Sequence, residues 1–167
     1  MEYTSAEAAK LLLKLRQDGE RISTMEENAK TFLASVGEDV ESVRPEYDYD
    51  KVKEEISELE AKIRKIKHAI NLFNTVTVIP EFGMTVDEML VYIPQLTKKR
   101  SKLKEMAETL PKIRYQSSIR SPIIDYQYIN YDPAKVKTDL DKVTEELYRA
   151  QLALDAVNHS KSIEIDI

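Results

Sequence analysis

Residues 50–74 read DKVKEEISELEAKIRKIKHAINLFN. Within them Val52, Ile56, Leu59, Ile63, Ile66, Ile70 and Phe73 recur at alternating steps of 4 and 3 without interruption, the spacing of a coiled-coil seam. Glu54, Glu55 and Glu58 come early and Arg64, Lys65 and Lys67 late, an order that complements a helix dipole. Glu58–Lys62 and Glu60–Arg64 add favourable pairs one turn apart. The stretch therefore predicts a helix over 50–74 with one narrow apolar stripe and a broad charged face. Such a stripe is marginal alone, so most of its stability must come from a neighbouring helix.

On the N-terminal side, Thr4-Ser5-Ala6-Glu7 is a capping box that opens a helix predicted over 5–36. Its seam is Leu11, Leu15, Ile22, Met25, Ala29, Phe32 and Val36, with Asp18 in the one polar position and Gly37 as the expected stop. The Asp18-Gly19 step is the expected weak point or bend, since an internal Gly costs about 1 kcal/mol relative to Ala. An acidic linker with Pro45 follows over 38–50, and Asp48 or Asp50 can cap the next helix.

On the C-terminal side, the β-branched run of 75–83 predicts an extended segment closed by Gly83. Thr85 and Glu88 form a second capping box, with Met84 and Met89 at the staple positions. The helix expected over 86–110 carries the seam Val86, Met89, Ile93, Leu96, Arg100, Leu103, Ala107 and Leu110, and Pro94 is expected to kink it. Residues 112–131 are rich in Ile and Tyr and predict a two-stranded ribbon broken at Ser121-Pro122. Asp132-Pro133 opens a last helix over 133–158, with the seam Val136, Leu140, Val143, Leu147, Ala150, Leu154 and Val157. The tail SKSIEIDI is left as a short strand or a free end.

Composition agrees. The chain has 167 residues, 42% hydrophobic and 33% charged, with only 3 Gly and 6 Pro, which favours long helices over a turn-rich sandwich. The fold class expected is mainly α: one domain over 1–167, an antiparallel long-helix bundle of coiled-coil hairpins with a short β-ribbon.

The same numbers exclude chemistries. With no Cys there is no disulfide, thiolate metal site or Cys nucleophile. The two histidines, His68 and His159, are far apart and lack neighbours at ligand spacing, so no metal site and no cofactor are expected. A net charge of -5 argues against nucleic-acid binding, which needs a basic footprint. No apolar run reaches the roughly 18 residues of a membrane span, and the acidic N-terminus does not resemble a secretory leader. A cytoplasmic protein is expected.

Four segments taken in order, Asn71-Leu72-Phe73-Asn74, Gly83-Met84-Thr85-Val86, Ile113-Arg114-Tyr115 and Asp155-Ala156-Val157-Asn158, resemble the septicolysin-like family of small helical bacterial proteins over roughly residues 26–160. The resemblance implies a helical fold and carries no assigned function. Where that family tends to have an Arg-Asp step in its third helix this chain has Tyr92-Ile93-Pro94, and where it tends to have Trp near the C-terminus this chain has His159. The family name suggests a thiol-activated cytolysin, but this chain has no thiol.

Three groups of residues are candidates for binding. Arg100 interrupts an apolar seam; it either pairs with Asp18 in the interior, because an unpaired buried charge is very costly, or is turned to solvent at the Pro94 kink. Arg114, Tyr115, Arg120, Tyr126 and Tyr128 combine forked cations with stacking rings, as an anionic or nucleotide-like ligand requires, or else the tyrosines pack the ribbon on helix ends or a partner. Asn71, Asn74 and Thr85 either line a polar turn or serve as caps. The run Lys98 to Lys104 spreads around a helix and reads as a solvated face.

No Gly-rich phosphate loop, nucleophile elbow or enclosed carboxylate pair is present, so no catalytic residue is assigned and the protein is not expected to be an enzyme. The leading expectation is a helical protein that associates with itself or with another helical protein. The alternatives are an oligomeric protein that binds or sequesters a small anionic ligand, and a phage-borne or host inhibitor acting through acidic helix faces.

Overall fold

The computed structural model describes residues 1–115 and 124–167. Five helices hold 68% of these residues, so the fold is mainly α with short antiparallel strand pairs. The chain divides into two compact units, Met1–Thr77 with Ala156–Ile167, and Val78–Asp155.

The first unit contains α1 (Ser5–Ala29), a single turn α2 (Val40–Val43) and α3 (Tyr49–Val76). The Thr4 hydroxyl accepts from the Glu7 N–H at 3.2 Å, and the Glu7 carboxylate accepts from the Thr4 N–H at 2.8 Å. Both halves of the expected box are therefore closed. Asp48 caps α3, accepting from the Lys51 N–H at 3.1 Å. α1 and α3 run antiparallel. Residues 16–24 of α1 share a groove with 56–63 of α3, and Met25 to Ala29 share the next with Tyr47 to Glu55.

A short sheet closes this unit. Strand β1 (Glu2–Thr4) pairs antiparallel with β6 (Ser162–Glu164), in the register Tyr3↔Ile163. The Met1 ammonium donates to the Ile165 carbonyl at 3.0 Å, and the Ile165 N–H donates back to the Met1 carbonyl at 2.9 Å. Ser5, Ala8, Ile66, Phe73, Val157, Ile163 and Ile165 are its buried residues.

Two expectations for α1 are corrected. The helix ends at Ala29, not 36. Ala29 already lies beside Val52, so a longer helix would carry Phe32, Leu33 and Val36 past the start of α3 with nothing opposite them. Instead the chain turns: Arg44 covers the Phe32 ring at 5.0 Å, and Tyr47 donates to Glu26 at 2.8 Å. Gly37 has a positive φ of 90°, which suits Gly, but in this linker and not at a helix stop. The helix passes through Gly19 without a break.

The second unit holds a small hairpin of β2 (Val78–Ile79) and β3 (Met84–Thr85), then α4 (Val86–Glu108), the ribbon of β4 (Lys112–Tyr115) and β5 (Asp125–Tyr128), and most of α5 (Pro133–Ser160). The extended segment expected over 75–83 is thus shorter, because α3 runs on to Val76. Its turn needs Gly83, whose φ is 63°. α4 runs unbroken across Pro94. Asp132 caps α5, accepting from the Ala134 N–H at 2.9 Å.

α4 and α5 are antiparallel. Tyr92 donates to Glu146 at 2.5 Å, while further along α4 the Met106 carbonyl accepts from Tyr131, just before α5, at 2.7 Å. Val86, Met89 and Leu96 of α4 and Val136, Val143, Leu147 and Ala150 of α5 are buried with Ile79. The hairpin turn is held to the helices by its side chains. Arg149 donates to Glu81 at 2.6 and 2.9 Å and lies 6.0 Å from the Phe82 ring, which meets Tyr92 at 6.5 Å. The Glu146 carboxylate pushes the Tyr92 phenol above its ordinary pKa, chiefly through that hydrogen bond. Among the described residues no helix is long and apolar enough to cross a membrane.

The caps make one pH-linked prediction. Hydrogen bonds from the Thr85 backbone, then from its hydroxyl, hold the Glu88 carboxyl below the ordinary value of 4.5, and Thr4 does the same for Glu7. A carboxyl depressed on folding contributes stability that is present above its unfolded pKa and lost as pH falls through the folded one. Thr85→Ala removes the N-cap hydroxyl and is expected to cost about 1 kcal/mol at neutral pH. Its deficit should shrink below pH 4.5, as the partner carboxylate protonates in the parent. Urea denaturation of both proteins across that range measures it.

Candidate binding surfaces

Two surfaces stand out, one in each unit. The first is the α1/α3 hairpin. Beyond Ala8 no residue of α1 is buried, and before Ile66 no residue of α3 is buried. Yet the uninterrupted heptads of α3 begin here. Leu11, Leu15, Ile22 and Ala29 of α1 and Val52, Ile56, Leu59 and Ile63 of α3 are all only half-buried. Leu13 and Met25 are 57% and 61% exposed. A groove of about 670 Å³ lies open between the helices, lined by Gly19, Ser23, Ile56, Leu59 and Ile63 among others. Two helices cannot surround a seam, so its outer side stays wet.

The second surface is the β4–β5 ribbon. Its register pairs Lys112 with Tyr128, Ile113 with Gln127, Arg114 with Tyr126 and Tyr115 with Asp125. Paired residues share a face and successive residues alternate. Lys112, Arg114, Tyr126 and Tyr128 therefore stand on one face, with the Lys112 ammonium 4.0 Å from the Tyr126 ring centre and 5.4 Å from that of Tyr128. Ile113 and Gln127, on the other face, line a groove of about 480 Å³ with Met106, Leu110 and Tyr131. The bond from Tyr131 to the Met106 carbonyl fixes the base of the ribbon on the end of α4.

The expected site residues divide accordingly. Arg114, Tyr126 and Tyr128 are brought together. Arg120, with the Ser121-Pro122 break, lies outside the described residues, and Tyr115 is described only as a backbone position of β4. Arg100 does not join them: it is exposed and lines a different groove with Lys104, Leu140, Asp141 and Thr144. Of the two readings of Arg100 the exposed one is observed, and Asp18 pairs with Arg21 at 3.8 Å along its own helix. One turn of helix supplies Asp18 with a cation at no desolvation cost, whereas a buried guanidinium must be stripped of water. The polar-turn group divides, with Thr85 taking the cap reading and the two asparagines neither. Asn71 and Asn74 lie within α3, and Thr85 is the cap of α4.

Lys112, a third cation of the ribbon, takes the central position. Its role depends on pairing with Tyr128, sixteen residues on, and no local pattern reveals that register. Among the described residues no group of three or more His, Asp or Glu could hold a metal ion.

No family model matches the chain, and no curated protein matches it. A crystal structure of a functionally unknown conserved protein from Corynebacterium diphtheriae covers 98% of this chain and 100% of its own, with a TM-score of 0.66 at 20% identity. At that identity the likeness is one of fold, and it extends over both units of the chain.

Proposed function

We propose that this is a non-enzymatic protein that assembles with itself, a second copy packing its α1/α3 hairpin along the first as an antiparallel coiled-coil bundle. The observation that carries the reading is that the facing heptad stretches, from Leu11 to Ala29 and from Val52 to Ile63, contain no buried residue. Apolar area of this kind gains about 25 cal/mol for each Å² withdrawn from water. A symmetric partner presenting the same stripe is the simplest body that covers it, because a two-fold contact sets identical edges against each other.

The charged surface supports the reading too. The carboxyls of Glu7 and Glu88 are held low by cap hydrogen bonds, and that of Glu41 by the Arg44 side chain. All three serve local structure on open surfaces and not an enclosed cleft.

Sedimentation velocity at micromolar concentration tests the proposal. The expected result is a species of at least twice the 19.3 kDa chain mass that dissociates on dilution. A lone 19.3 kDa boundary across that range refutes it.

A further inference from the structure

We propose that the outer face of β4–β5 binds a mononucleotide, its phosphate between Lys112 and Arg114 and its ring on the tyrosines. Three observations meet there. First, both cations are exposed and stand directly across the ribbon from the two rings, Lys112 from Tyr128 and Arg114 from Tyr126. Second, the carboxylate of β5, Asp125, belongs by alternation to the opposite face, so nothing of like charge to a phosphate stands on this one among the described ribbon residues. Third, Tyr126 and Tyr128 leave 47% and 62% of their surface in water, at 6.5 Å between ring centres and 51° between planes.

Such rings form an open wedge and not a closed stack, so each keeps a face for a planar group. The Lys112 ammonium lies over one face of each ring, at 4.0 Å and 5.4 Å from their centres, so a planar group would take the remaining exposed ring surface with its phosphate against that ammonium. The Arg114 fork adds a second, geometrically specific donor. The net charge of -5 favours a small ligand over a long polyanion. A long polyanion is repelled by the chain as a whole, whereas a single phosphate is governed by its nearest cations.

Isothermal titration calorimetry of the full chain with adenosine monophosphate, adenosine and inorganic phosphate tests this. The nucleotide is expected to bind saturably, and adenosine and phosphate each about tenfold more weakly or worse. Arg114→Ala and Tyr128→Ala should each weaken nucleotide binding about tenfold, with unchanged far-ultraviolet circular dichroism. Lys142→Ala, at an exposed site on α5, should leave it unaltered. Absence of saturable heat with millimolar nucleotide overturns the proposal. So does phosphate binding as tightly as the nucleotide, or affinity indifferent to both ribbon substitutions.

Discussion

The double variant Leu59→Lys/Ile63→Lys is expected to sediment as a single chain under conditions where the parent is associated. Both residues line the open groove between α1 and α3, one helical turn apart on the same face. Neither is buried within the chain, so a lysine there can extend its ammonium to water and the hairpin keeps its fold. In an assembly that covers the seam the same ammonium must be desolvated or held out by a gap, and two copies bring four such groups to one interface. Truncating or burying charge at the centre of an interface costs several kcal/mol, and each 1.4 kcal/mol is a factor of about ten. Weakening by about a thousandfold or more follows. Lys62→Glu, one residue away but exposed, reverses a charge without entering the groove and should leave the mass nearly as it was. A double variant that stays associated places the contact elsewhere.

Ile66→Ala is expected to be the most damaging truncation on α3, costing about 2–5 kcal/mol. The Ile66 side chain is completely buried, so its loss removes transfer energy and leaves a cavity that its neighbours fill only in part. Ile56 belongs to the same seam, ten residues earlier, but is half-buried. In a dilute sample Ile56→Ala should cost about 1 kcal/mol, in proportion to the area it hides within one chain. At high concentration its cost should rise, because the partner copy then covers the residue, while that of Ile66→Ala should not change. Thermal denaturation at two concentrations separates the two behaviours. An Ile56→Ala penalty independent of concentration counts against assembly along this seam.

The two isoleucines also mark how far the sequence could be read. The 4-and-3 spacing puts them on one stripe, and the helix confirms it. Spacing says nothing about which part of the stripe is covered. Burial at Ile66 accompanies strand β6, which packs on α1 and α3, and the burial of Ile163 and Ile165. That strand pairs with residues some 160 positions away, and β1 carried no signal of its own in the sequence. The ribbon is similar. Its composition announced cations and tyrosines, but the register that sets Lys112 between two rings is a property of the pair of strands.

Helix starts are the part that needed nothing else. Thr4 with Glu7, Thr85 with Glu88, and Asp132 each satisfy free N–H groups within three residues along the chain, so every partner is adjacent in sequence. The periodic stripes are equally local, since the turn of a helix aligns residues three and four apart whatever surrounds it. Helix ends and charge partners are otherwise. α1 stops at Ala29 because the chain must return to begin α3, and Arg100 is exposed although its heptad position would place it inside. Those outcomes depend on what lies opposite in space. Contacts between segments far apart along the chain leave no imprint on the residues next to them, so only the tertiary structure could decide them.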